Sequence, residues 1–155
     1  MADEVPGTLD PDEETVWRSL RVLTTLGLPA LERTFKEYGL VQIEYGLLAS
    51  LVESPQGVRL TDLAEAMNVS QSRLSHRMGK LLRRGLVEVR SCPGDGRVTI
   101  AVATDEGLAL VEEITPRHAR DLRSMIFDRL TEAQVGALAE ALHEVAAGLC
   151  PRNGR

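Results

Sequence analysis

Residues 60–97 read LTDLAEAMNVSQSRLSHRMGKLLRRGLVEVRSCPGDGR, and this run decides the fold. Leu60, Leu63, Ala64 and Met67 recur at helical spacing on one face. The Thr61 hydroxyl suits the start of that helix, and Asp62 suits the positive end of its dipole. Asn68 tolerates the left-handed conformation that ends a helix. Ser70 then caps a second helix, whose Leu74, Met78, Leu81 and Leu82 form its inward face. Two capped helices joined by a turn holding Val69 predict a helix-turn-helix. Gly85 stands where a C-terminal glycine belongs. Residues 86–91 alternate like a strand, Pro93-Gly94-Asp95-Gly96 signals a turn, and Val98 to Val102 predicts the returning strand.

The second helix carries the chemistry. Ser70 opens it, and Gln71, Ser72, Ser75 and His76 give its free face small or hydrogen-bonding groups. Arg73, Arg77, Lys80 and Arg84 form a cationic stripe beside them. A helix that enters the major groove needs this combination, with donors and acceptors near its N-terminus for base edges and cations for phosphates. Between Arg73 and Arg97 seven Arg or Lys residues face two acids, a balance of +5. The whole chain carries −5, so the remainder sums to −10. A cationic segment in an acidic chain points to a polyanion, here double-stranded DNA.

The order and spacing of these pieces resemble the MarR family of bacterial transcriptional regulators. Leu63-Ala64, Val69-Ser70, Ser72 with Leu74-Ser75, Arg84-Gly85-Leu86-Val87, Asp95-Gly96-Arg97 and Thr104 with Gly107 carry the resemblance. It implies a mainly α fold with a small antiparallel β-wing, in which a winged helix-turn-helix lobe joins a helical dimerisation region. It further implies a homodimeric repressor on a palindromic operator, released by a small aromatic or anionic effector. Trp17, Arg18, Arg21, Tyr38 and Tyr45 are candidates to line the effector site by position. In the wing, Arg90 and Arg97 are expected near DNA. Asp95 lies two residues from Arg97, close enough across a tight tip to orient its guanidinium.

Outward from this run, the chain reads as one 155-residue unit. Residues 13–38 and 105–149 are expected to form dimerisation helices around a winged lobe at 41–103. Asp10 or Asp12 caps a helix starting near Pro11, with Val16, Leu20, Leu23 and Leu26 on one face. Gly27 and Pro29 predict a kink or break in it. A second helix spans Val41 to Glu53, with Ile43, Leu47, Leu48 and Leu51 inward. Val58 to Leu60 can pair with the wing. Thr104 caps a long helix to about Arg129, kinked by Pro116, and Thr131 caps the last. The terminal helices carry more apolar surface than one small lobe can cover, which predicts pairing with a second copy. Residues 1 to about 11 and 152–155 read as tails.

Other chemistry finds little support. The first fifteen residues hold six acids and no base, unlike a signal peptide, and no stretch reaches the length of a membrane span. A cytoplasmic, nucleoid-associated protein is expected. His76, His118 and His143 show no metal-ligand spacing, so neither a metal nor a cofactor is expected. There is no phosphate loop and no Ser-His-Asp arrangement, so no enzyme is expected. Two other readings stand beside the regulator. One is a winged helix that binds only protein. The other is a redox regulator using Cys92, whose neighbours Arg90 and Arg97 would favour its thiolate.

Overall fold

The computed structural model of the chain describes residues 7–149 except 93 and 94, without the side chains of 92 and 95–97. The turn at Pro93-Gly94, the side chains of Cys92, Asp95 and Arg97, Cys150 and the outermost tails therefore lie outside the described residues.

Helix α1 spans Pro11–Val22. Asp10 caps it, accepting the Asp12 and Glu13 amides at 2.8 Å, while the Glu13 carboxylate accepts the Asp10 amide at 2.9 Å. This is a reciprocal capping box. The interruption expected at Gly27 and Pro29, a kink or a break, takes the form of a π-helical turn, Leu23–Gly27, leading straight into α2, Leu28–Glu37, with Pro29 in its first turn. Pro29 cannot donate a backbone bond, and its ring crowds the turn before it. One widened turn absorbs both effects, with the Leu28 amide bonding the Leu23 carbonyl.

Helix α3, Gln42–Val52, buries Leu47, Leu48 and Leu51 completely. Strand β1, Val58–Arg59, runs directly into α4, Leu60–Ala66, so Arg59 is the N-cap residue and not Thr61. Thr61 donates instead to Asp62 at 3.0 Å. Asn68 takes φ 49° in the turn. Helix α5, Gln71–Arg83, is capped by Ser70, which accepts the Arg73 amide at 3.3 Å. Its inward stripe is Leu74, Met78 and Leu81, all at most 3% exposed, whereas Leu82 is 39% exposed. Position 82 lies about 100° round the helix from 81, beyond the edge of the core. Gly85 follows at φ 70°.

Strands β2, Val87–Cys92, and β3, Asp95–Ala103, form the wing. The sheet order is β1-β3-β2, antiparallel throughout, with Val58 opposite Ala101 and Val89 also opposite Ala101 across the other edge. Strand β3 begins earlier than the expected Val98, because Asp95 already pairs with Cys92. Thr104 caps α6, Asp105–Met125, by accepting the Gly107 amide at 3.1 Å. The helix continues through Pro116 and ends at Met125. A 3-10 turn, Phe127–Arg129, replaces its expected last turn. Thr131 opens α7, Glu132–Leu149, exchanging bonds with Gln134.

The core is a single cluster joining Phe35 and Leu40 to the leucines of α3, the inward stripe of α5, and Val111 and Ile114 of α6. Neither α1 nor α7 contributes a buried residue.

Candidate nucleic-acid interface

The core holds α5 by one side, and this determines what its other side offers. Gln71, Ser72, Arg73, Ser75 and His76 are all exposed in its N-terminal half, as is Arg83 near its end. The apolar stripe at 74, 78 and 81 faces the core, so Ser72, His76 and Arg83 point away from it, with Arg73 and Ser75 on the two flanks and Gln71 exposed at the first turn. They supply hydroxyl, amide, imidazole and guanidinium groups from one rigid element.

The cationic stripe expected beside them divides. Arg77 is half-buried, and its Nη1 donates to the Glu44 carboxylate at 3.0 Å. Lys80 stands 3.7 Å from the same carboxylate. Arg84 donates to the backbone carbonyls of Gly39 and Tyr38 at 2.8 and 2.9 Å, tying the end of α5 to the α2–α3 turn. In the wing Arg90 is exposed and pairs with Glu88.

Glu44 itself is 4% exposed, and it also accepts the Val41 amide at 3.1 Å. Within the sequence it reads only as a polar interruption in an apolar run. Its partners lie 33 and 36 residues further on. Arg83 was not among the residues expected at the interface, although its spacing from Ser72 and His76 places it on the same face.

The five residues expected at an effector site are not drawn together. Trp17 is 57% exposed on α1, where Arg18 pairs with Glu14 and Arg21 is also exposed. Tyr38 and Tyr45 instead pack against the core. Tyr45 stacks on Phe35 with centroids 4.8 Å apart, and His118 completes the group at 4.9 Å from Phe35. The Tyr45 hydroxyl meets that of Thr115 at 3.0 Å. Burial pushes the His118 imidazole below its ordinary pKa, against a weaker opposite pull from Asp121.

A cleft of about 430 Å³ opens between the α2–α3 turn and the second half of α5. Lys36, Lys80, Arg83 and Arg84 rim it, Leu40 and Leu81 line its apolar side, and Glu44 is its one acid. Among the described residues no group of three or more His, Cys, Asp or Glu could hold a metal ion. No helix among them is long and apolar enough to cross a membrane.

A capped recognition-type helix with one exposed polar face, a three-stranded wing behind it and helical arms at both ends define the class: a winged helix-turn-helix protein. A family model described as MarR family matches residues 38–98. Among solved structures, Sco3205, a MarR family transcriptional regulator from Streptomyces coelicolor crystallised in complex with DNA, is 37% identical. It superimposes with a TM-score of 0.88, over 98% of this chain and 96% of that one. AbsC, another MarR family regulator from Streptomyces coelicolor, is 31% identical with a TM-score of 0.85, over 92% and 97%. The transcriptional regulator PecS of Dickeya dadantii is 27% identical over 120 residues, 76% of this chain and 72% of PecS. The chain belongs to the MarR family of transcriptional regulators. Its class is that of a regulator and not of an enzyme.

Proposed function

We propose that this regulator binds double-stranded DNA sequence-specifically as a homodimer, on an operator that is an inverted repeat. The observation that carries the reading is the exposed face of α5. Gln71, Ser72, Arg73, Ser75 and His76 project from the N-terminal half of a helix whose opposite side is locked in the core. An α-helix fits the major groove, and these side chains match the donors and acceptors of base edges there. Arg83 continues the face toward phosphate, and the wing, with Arg90 and Arg97, flanks it. The DNA complex of the 37%-identical Sco3205 supports the same reading.

Homodimerisation accounts for the arms. Val16, Trp17, Leu26, Val145 and Leu149 are each more than half exposed. A two-fold partner would cover them and would place two copies of α5 on successive turns of one face of the duplex. The regulator acts in the cytoplasm, as a repressor, and a small anionic effector releases it. The cationic cleft beside α5 supports an anion, since four cations surround a partly apolar wall. It is a better-formed site than the scattered Trp17, Arg18 and Arg21.

Selection of bound fragments from the source genome tests this directly. Enrichment of one inverted-repeat sequence is expected, with affinity that falls steeply as salt rises, because each neutralised phosphate releases counterions. Uniform recovery of all fragments would overturn it.

A further inference from the structure

We propose that Glu44 is the positioning residue of α5. Its carboxylate clamps the middle of this helix to the first turn of α3 and so fixes the angle at which the exposed face is presented. The proposal rests on the reading of α5 as the base-facing helix.

Leu74, Met78 and Leu81 seat the inner side of α5. Apolar contacts of this kind are non-directional, so they set depth better than they set rotation. Charged hydrogen bonds are directional. Glu44 holds two points on the flank of α5, three residues apart: Arg77 Nη1 at 3.0 Å and Lys80 Nζ at 3.7 Å. It is itself fixed by the Val41 amide at the N-terminus of its own helix, where the dipole favours a carboxylate. A carboxylate that is 4% exposed needs its partners, since an uncompensated buried charge is strongly unfavourable. Any rotation or slide of α5 that draws Arg77 away leaves Glu44 in that position. The Nε of Arg77 is buried with no hydrogen-bond partner among the described residues. The guanidinium is therefore held by its tip and drawn inward, while its sequence neighbour His76 points out.

The clamp has a consequence for discrimination between sequences. It keeps Arg73, Ser72 and His76 in one pose, and it withholds the Arg77 charge from phosphates. Loss of the clamp relaxes the pose and frees a cation at once. Specific binding then weakens while non-specific binding holds or strengthens.

The test uses full-length protein carrying Glu44→Gln, an isostere that keeps the volume and can still accept the Val41 amide. Binding is measured by fluorescence anisotropy on two duplexes of equal length and composition. One is selected by the wild-type protein from a randomised library, and the other is its scrambled sequence. The ratio of the two affinities is the readout, because partial misfolding lowers both in proportion and leaves their ratio unchanged. We expect the ratio to fall about tenfold, with affinity for the scrambled duplex unchanged or higher. A wild type that does not distinguish the duplexes defeats the reading of α5 itself. A wild type that distinguishes them, beside a folded Glu44→Gln with the same ratio, overturns the clamp alone. Arg77→Gln cuts the same bond from the other end and decides the matter if Glu44→Gln does not fold. The clamp requires a lower ratio with an unchanged salt slope. A slope reduced by about 0.9 would put Arg77 on a phosphate and overturn the proposal. The double variant should lose no more discrimination than the worse single one, whereas additive losses contradict a shared bond.

Discussion

Arg73 and Arg77 stand about one turn apart on α5, and their surroundings differ. Arg73 is exposed on the face that leaves the core, whereas Arg77 turns back to Glu44. Arg73→Ala should cost about 1–3 kcal/mol on the operator and relax preference at one base position, as competition with single-base variants would show. An equal loss on scrambled DNA would make Arg73 a phosphate contact. The sequence displays the stripe of cations but not this division. Helical spacing alone does not reveal which flank meets a buried acid on another helix. The same limit hid the packing of His118, which depends on α2, α3 and α6 meeting. Burial lowers the His118 pKa, so the folded state favours its neutral form. Its effect on stability is therefore absent above the ordinary histidine range. Stability falls as pH drops through about 6.5, because the unfolded chain takes up a proton more readily. Asp121 opposes this only in part. His118→Phe should therefore lose less melting temperature than wild type between about pH 7.5 and about pH 5.5. Equal losses would remove His118 from the acid response.

The junction of the wing with α6 is held together by Thr104. Thr104 was legible as a cap, and it does accept the Gly107 amide. Its hydroxyl also donates to the Gly85 carbonyl at 2.7 Å, and its amide bonds the Leu86 carbonyl at 3.1 Å. These bonds draw α6 so close to the α5 exit that a Cβ on Gly107 would collide with the Leu86 carbonyl oxygen. Gly107→Ala should therefore cost about 2–3 kcal/mol despite the better helix propensity of alanine, measured by urea denaturation. A neutral or stabilising result would show that this approach is not tight. Caps, turns and strand pairing were largely visible in the sequence because Asp10, Ser70, Gly85 and Thr104 act on their immediate neighbours. The response of the first arm to Pro29 was not. A proline shows that a regular helical bond is lost, while the choice between a break and a π turn depends on whether helix continues on both sides. Leu82 departs from the expected inward face for a related reason, since a run of two leucines does not show where the core ends.

At the scale of the whole molecule, the arms are the unresolved surplus of one chain. It exposes 11404 Å² at 17.0 kDa, whereas a compact chain of that mass exposes about 7,700 Å². An obligate dimer interface of roughly 2,000–5,000 Å² in total takes about half of that from each chain, and so removes part of this excess. Deleting residues 131–155 should give a monomer or an aggregate in sedimentation, while the full chain sediments as a dimer at micromolar concentration. A full-length monomer would contradict the dimer. Sequence periodicity shows apolar faces on these helices but not which of them the chain covers itself, and neither α1 nor α7 has a buried residue. Whether a two-fold pair of α5 helices reads DNA is decided by footprinting on a selected genomic operator. Two protected half-sites of an inverted repeat are expected, with centres about 10 bp apart on one face of the duplex. Protection of a single half-site, or protection without sequence preference, would contradict it.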